Sequence, residues 1–366
     1  MSKNIKMRQK NSANEYDVLY PQSVADIVML SEETSTAYSL TNGTAEDAIE
    51  SLSELLKAQR KISLRITDVG GNPIEGATVS GLVGSPVTDK NGYVTGIVQN
   101  NVVTIYPPSK YQDLKSTSVN VSSYIGKLAI HTIPIPAVSN NTIIRYTESK
   151  QIRFSAGTKS IDVCCVGAGG GGGGYYAGTE SQVGGGGGGG AIVNMYNISV
   201  TPYTDYTITV GAGGNAASPD VGGDGGNSSF SNIVVANGGS GGTPTSGGTS
   251  GSSTSGAGGY KSDGTASSIV TEFDDSITFY SGGGGGGKEA ATETSGNAYS
   301  GGSPNGASGA LHLKNSQTQA GTAGIGGGGG GGVYTHTYVN SHAKTTIIKP
   351  SAGGAGLVAI RIHTDY

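Results

Sequence analysis

Residues 161–191 read IDVCCV, GAGGGGGG, YYAGTESQV, GGGGGGG and A: an apolar strand-like stretch, a glycine run, a polar loop, a second glycine run and a return to apolar residues. Glycine loses more backbone entropy on folding than any other residue and buries no side chain, so such a segment cannot be an ordinary helical or doubly wound domain. A residue without a Cβ can instead follow the threefold extended helix of polyproline II geometry, rising about 3.1 Å per residue. A run of seven then spans about 20 Å, and neighbouring runs can bond N–H to C=O in place of an apolar core.

The same alternation continues to the end of the chain. Glycine-rich stretches lie at 167–174, 184–190, 211–214, 222–226, 237–242, 256–259, 282–287, 301–309, 321–332 and 353–356. Apolar, strand-like segments at 191–210, 227–236, 260–281, 310–320 and 357–366 alternate with polar segments at 175–183, 215–221, 243–255, 288–300 and 333–352. If each glycine stretch is one straight pass, the chain leaves an apolar layer, turns in a polar loop and returns. The last strand then comes home beside Ile161–Val166. On this count Tyr260, Tyr280, Leu311 and Leu313 fall in the apolar layer, and the five polar segments gather as loops at the other end. A flexible linker would not return to apolar β segments in this way, and no Gly-X-Y period supports collagen.

Only ten of the 66 glycines precede residue 167, so the chain joins two different materials. Residues 1–43 are polar with a short apolar patch and read as an attachment arm. Residues 44–61 read as a helix: Thr44 caps, Glu46, Asp47 and Glu50 load the first turns, and Lys57, Arg60 and Lys61 load the last. Its stripe of Ala45, Ala48, Ile49, Leu52, Leu55 and Leu56 suits either a short oligomer stalk or packing on the next domain. From residue 62 to 133, Ile62, Leu64 and Ile66 alternate with polar residues and Gly/Asn/Pro turns follow, the pattern of a small β-sandwich. Residues 134–140, with Pro134 and Pro136, read as a linker, and 141–366 as the glycine-rich domain. The expected fold class is therefore mainly β: arm and short helix, small β-sandwich, then a β-layer with stacked polyglycine II helices.

A formal charge of −4 and few basic residues argue against nucleic acid or an anionic membrane as partner. No apolar run of about 18 residues is present to insert in a membrane. Asn11, Asn14, Glu15 and Asp17 stand where a secretory signal needs its apolar stretch, so the expectation is synthesis in a host cytoplasm without a signal peptide. Cys164 and Cys165 are adjacent, and neighbours on a strand face opposite ways, so both read as structural thiols.

The words Gly71-Asn72-Pro73-Ile74-Glu75-Gly76-Ala77-Thr78-Val79 and Thr88-Asp89-Lys90-Asn91-Gly92-Tyr93 resemble carboxypeptidase-regulatory-like modules used as spacers in surface proteins. Four stretches of the second half resemble the glycine-rich domains of bacteriophage tail fibres and receptor-binding adhesins. They are Phe154 to Val163 running into Gly167, Ile198 to Gly214, Gly222 to Phe230, and Gly353 to Arg361. Tyr16 to Pro21 with Ala25-Asp26 is similar to the opening of tail proteins of phages and phage-derived bacteriocins of Gram-positive hosts. The resemblance implies a non-enzymatic receptor-binding protein at the distal tail of a virion or tail-like particle. Its partners would be a bacterial surface glycan or protein and, through the arm, a tail or baseplate protein, and its assembly a homotrimer. Within the far loops, Tyr175, Tyr176, Tyr299, Tyr334, His336, Tyr338 and His342 are the expected receptor-binding residues, because tyrosine offers rigid contact area with a polar tip at low entropic cost. A tyrosine in such a bundle can equally seal its end. An enzymatic tailspike degrading a surface polymer and a purely structural glycine-rich material stand as alternatives.

Other motifs do not hold. Gly167 to Gly172 matches a dinucleotide fingerprint, but more glycine follows where a helix must begin. Gly282 to Gly287 with Lys288 resembles a phosphate loop, yet Glu289 stands where the metal-binding hydroxyl belongs. Asp220 and Asp224 lack the ligand ladder calcium needs, and His312, His336, His342 and His363 lack ligand spacing. Asp274 and Asp275 are neighbours on a strand and face apart, so they share no proton. No cofactor or metal is expected.

Overall fold

A computed structural model describes residues 7–10, 16–19, 60–127, 129–175, 182–217, 220–253, 255–267, 270–271, 273, 278–279, 281, 283–289, 298–302, 306–312, 317–318, 323–339 and 342–364. Among these the fold is all β, with no α-helix. The chain divides into two compact units. In the first, β1 (Met7–Lys10) pairs antiparallel with β2 (Tyr16–Leu19). The expected helix at 44–59 lies outside the described residues; Arg60 is a turn and Lys61 already opens a strand.

The sandwich is built from β3 (Lys61–Thr67), β4 (Thr78–Ser80), β5 (Tyr93–Ile97), β6 (Val102–Tyr106), β7 (Thr117–Asn120) and β8 (Ile130–Pro134). They form two sheets, ordered β5-β3-β8 and β4-β6-β7. Alternate residues Ile62, Leu64 and Ile66 of β3, Val79 of β4, Val94 of β5, and Val103 and Ile105 of β6 are buried, as two-residue periodicity requires of a sandwich core. Asp89 Oδ1 accepts from Asn91 N at 2.9 Å and Tyr93 N at 2.8 Å, and Gly92 takes the left-handed conformation at φ 76°. This side-chain-closed turn is why the sequence reads Asp-Lys-Asn-Gly-Tyr before β5.

The second unit holds the remaining strands: β9 (Thr142–Tyr146), β10 (Lys150–Arg153), β11 (Thr158–Val166), β12 (Gln182–Val183), β13 (Ile192–Ser199), β14 (Asp205–Thr209), β15 (Ser228–Phe230), β16 (Val234–Ala236), β17 (Val270–Thr271), β18 (Thr278–Phe279), β19 (Lys288–Glu289), β20 (Leu311–His312), β21 (Gln317–Thr318), β22 (Val333–Val339), β23 (His342–Ile348) and β24 (Leu357–Thr364). Its base packs one sheet, β13-β11-β24-β9, against another, β10-β14-β15-β16. Ile161, Val163, Cys165, Ile360 and Ile362 meet Phe154, Tyr206, Ile208 and Phe230 between them. Cys164 and Val166 point the other way, into a cluster closed by Phe273. The adjacent cysteines therefore serve two cores, neither is in a disulfide, and burial pushes the Cys165 thiol up to about 12.

From this base the glycine runs rise as a hexagonal array. Run 167–174 shows why. Gly167, Gly170 and Gly173 donate to Ala191, Gly188 and Gly185; Ala168, Gly171 and Gly174 donate to Gly226, Gly223 and Asp220; Gly169 and Gly172 donate to Gly354 and Ser351. Every third residue addresses the same neighbour, the signature of a threefold helix. The carbonyls of 168 and 171 accept from Gly239 and Gly242, those of 169 and 172 from Gly214 and Ala217, and those of 170 and 173 from Gly329 and Gly332. The run thus has six bonded neighbours. Run 184–191 likewise bonds 167–173, 237–243, 248–251, 256–259, 284–287 and 326–332.

Runs 167–174, 184–190, 283–287 and 327–332 form the interior, and every residue in them is buried. An added Cβ at Gly172 would lie 1.9 Å from Gly330 O, and one at Gly187 2.0 Å from Gly170 O. No side chain fits, and each such Cα–H faces a carbonyl as a weak donor. Perimeter runs carry a side chain at every third position, facing outward: Asn237, Ser240 and Thr243; Ser246, Thr249 and Ser252; Ala212 and Asn215; Ala352 and Ala355.

The pass count differs from the sequence expectation. The expected loop 243–255 contains a further pass at 247–251, and 263–267 is another, because Ser and Thr occupy outward positions and thin out the glycine. The order of turns changes accordingly. Ala307 and Ala310 donate to Gly328 and Gly331, in parallel with a run heading away from the base, so Leu311 lies at the far end rather than in the apolar layer. Tyr260 also packs at the far end, against Val183, Ala310, Val333 and Ile348. Leu313 and Tyr280 lie outside the described residues. The expected linker 134–140 is tied down: Lys115 N donates to Pro136 O, Val138 N to Asp113 O, and Ile135 is buried.

Candidate recognition surface at the far end of the bundle

The far end is closed by short strands growing directly from glycine runs. Val183 follows the first loop, Val333 follows run 327–332, and Ile348 precedes the last run. With Ala310 these form a small apolar cluster. β12, β22 and β23 make one sheet, with Gln182 opposite Tyr334 and Val183 opposite Val333. β19 lies parallel to β20, and β21 antiparallel to it. The polar segment expected as a loop at 333–352 is instead mostly a hairpin, paired in unbroken register from Val333↔Ile348 to Val339↔His342. Its β-branched and aromatic content explains this: Val333, Thr335, Thr337, Val339, Thr345, Thr346, Ile347 and Ile348 all favour strand.

The expected receptor-binding residues fall into distinct roles. Tyr175 and Tyr334 stack with ring centroids 4.8 Å apart and are only 3% and 7% exposed. They seal the bundle end, and their surface is spent on each other. Tyr299 is half-buried, and its carbonyl accepts from Gly309 N at 2.9 Å. His336 and Tyr338 occupy β22 and His342 opens β23, while Tyr176 lies outside the described residues. Register separates the histidines: position 336 shares a ribbon face with 334, 338, 343 and 345, whereas 342 shares the other with 335, 337, 344 and 346. Tyr260, not anticipated at this end, stands beneath the Lys261 ammonium, 5.4 Å from its ring centroid.

The two nucleotide-like glycine motifs are interior runs. N–H groups 167 to 172 and 283 to 287 are all bonded within the bundle, which leaves none of these described groups to cradle a phosphate. Asp224 Oδ1 accepts from Gly241 N at 2.9 Å, a perimeter carboxylate satisfied by the neighbouring run. Asp274 and Asp275 lie outside the described residues. No group of three or more His, Cys, Asp or Glu among the described residues is placed to hold a metal.

Two buried polar clusters at the base escaped sequence reading. Asp162, in the middle of β11, accepts from Arg361 Nε at 2.8 Å, His363 Nε2 at 2.9 Å and Asn197 N at 2.8 Å. Burial alone would raise its carboxyl, but the Asn197 amide, His363 and Arg361 together hold it below the usual range. Arg361 also stacks over Phe273 at 5.0 Å and donates to its carbonyl. The sequence signal was there: Asp162 and Arg361 each interrupt an apolar strand, and they are direct cross-strand partners. In the second cluster, Asp113 Oδ2 accepts from Ser155 N, Ser155 Oγ and Thr158 Oγ1 at 2.6–2.8 Å, yet burial prevails and pushes its carboxyl up. Asp68 accepts from Ala156 N and from the Tyr203 hydroxyl. Consecutive amides at 155 and 156 are thereby pinned at the start of β11, and both clusters are scaffold.

No curated protein matches the chain in sequence. Residues 147–363 match the family model described as a glycine-rich domain, and the chain belongs to that glycine-rich domain family.

Proposed function

We propose that this chain is the receptor-binding protein of a phage or phage-like tail, a non-enzymatic adhesin that recognises a bacterial surface molecule with the far end of its glycine bundle. The observation that carries this reading is polarity: the domain's entering and closing strands, β9, β11 and β24, share one sheet at the base, while the β22–β23 hairpin emerges at the opposite end. Attachment at one pole and contact at the other is the arrangement an adhesin needs. The arm at 1–43 attaches to the tail or baseplate, the sandwich acts as spacer, and the particle carries the chain as a homotrimer at its distal tail. Unequal far-end segments, from the short turn at 244–246 to the long hairpin, favour recognition over a repetitive structural material.

The test is binding of labelled protein to a panel of Gram-positive strains, beside a variant in which residues 335–346 are replaced by a Gly-Ser turn. That cut spares Val333, Tyr334 and Ile348, which hold the bundle end. Strain-selective binding by the intact protein, lost in the folded variant, is the expected result. Absence of binding to every strain, or equal binding by both proteins, overturns the proposal.

A further inference from the structure

The hairpin itself narrows what it binds. Among the described residues only its first two rungs have a third strand: β12 covers Val333 and Tyr334, and from Thr335 to Thr346 the described structure is a two-stranded ribbon with β23 at the sheet edge. Such a ribbon is marginal in water unless a third strand or a packed face completes it. Natural edge strands are blunted by proline, bulges or several charges. β23, seven residues long, has no proline, an unbroken register and Lys344 as its one fully charged residue. Gly184 N donates to Gly332 O, so by alternation 334 on β22 turns its N–H and C=O toward β12, where Gln182 pairs with it. Its partner Ile347, with 345 and 343, then turns N–H and C=O toward the open edge of β23.

Resting on the adhesin reading above, we infer that β23 is a strand-addition site and that the receptor is a surface protein offering an extended segment, not a glycan. An extended polypeptide presents alternating donors and acceptors at the repeat of the open edge, and main-chain bonds along that edge supply the affinity.

The experiment uses the full chain and a strain that it binds. Cells are shaved with protease or oxidised with periodate, and two variants, Thr345→Pro and Thr345→Val, are compared with the parent. Proline at 345 removes one outward N–H without touching the β22–β23 ladder, which hydrogen exchange of the ladder amides verifies. Valine removes only the hydroxyl. Protease-sensitive, periodate-resistant binding that falls roughly tenfold with Thr345→Pro but not with Thr345→Val is expected from one backbone bond lost in a desolvated interface. Periodate-sensitive, protease-resistant binding overturns this inference and leaves the adhesin reading standing. So does unchanged binding by Thr345→Pro, or an assembly that sediments as monomer once Thr345→Pro is introduced, which would make a second copy the occupant of β23. Failure to bind any strain removes both readings together.

Discussion

A single methyl at Gly187 should be among the most damaging changes this chain can receive. An ideal Cβ there lies 2.0 Å from Gly170 O and 2.5 Å from its carbonyl carbon. Ordinary contact begins near 3.4 Å, so the two runs must part by roughly 1.4 Å. Three bonds cross that spot: Gly187 N to Gly329 O at 2.7 Å, Gly284 N to Gly187 O at 2.8 Å, and Gly329 N to Gly170 O at 2.8 Å. Water cannot replace them inside a run whose residues are all buried, and each buried group left unpaired costs about 1–3 kcal/mol. Gly187→Ala should therefore cost about 4–6 kcal/mol, comparable to the whole stability of many domains. In an ordinary helix the same substitution stabilises by about 0.5–1 kcal/mol, so the sign is diagnostic. Urea unfolding followed by circular dichroism, with Ala212→Ser on the exposed perimeter as control, reads the difference. If Gly187→Ala keeps the midpoint of Ala212→Ser, the threefold bundle is not how this sequence packs.

Tyr175→Ala should loosen the far end by about 3 kcal/mol, the usual cost of truncating a buried aromatic, seen as faster exchange of the Val183 and Val333 amides with the base unaffected. The Asp162 carboxyl is held low in the folded state, so the stability it contributes is complete above its usual range and drains as pH falls through its folded value. Acid unfolding below about pH 4 should flatten in Asp162→Asn, and a parallel shift at all pH values would contradict this. Cys164 and Cys165 should resist alkylation in native protein at neutral pH and react together once urea unfolds it; rapid native labelling of either would contradict their burial in two cores. Ser240→Ala removes an outward hydroxyl that bonds Thr249 at 2.8 Å on the perimeter, and should change stability by less than about 0.5 kcal/mol.

The sequence made the bundle legible through its glycine runs and the base through period-two apolar residues such as Ile161, Val163 and Cys165. What misled the pass count was treating every glycine-rich stretch alike. Interior runs are unbroken glycine because six backbones surround them; perimeter runs admit one outward residue in three, as Asn237, Ser240 and Thr243 do. Read that way, Ser246, Thr249 and Ser252 mark a further pass at 247–251, although this stretch reads as a loop by glycine count. The far-end residues were less legible for a different reason. Tyr175 and Tyr334 are 159 positions apart, and nothing local says that two glycine runs will bring them to 4.8 Å. Likewise Asp162 meets Arg361 only because the last strand returns beside β11.

That dependence on backbone rather than side chains bears on how such a domain serves recognition. In a conventional core, changing a loop's length shifts the packing of the side chains beneath it, and one misplaced methylene is felt. Here the interior is held by bonds between main chains whose positions are set by the threefold repeat, so a far-end segment need only leave and rejoin at the right lattice points. The contrast between the tight turn joining Thr243 to Ser246 and the long ribbon from Val333 to Ile348, on one bundle, is what such tolerance permits. The constraint moves to the junctions. Val333 and Ile348 are fully buried and paired, and must stay while 335–346 can change. A series of hairpins grafted between Tyr334 and Ile347 should then share one unfolding midpoint, since the lattice beneath does not sense them, while differing in what they bind. If midpoints scatter with hairpin sequence, the far end contributes to the global fold, and the separation of scaffold from recognition argued from the hydrogen-bond pattern fails.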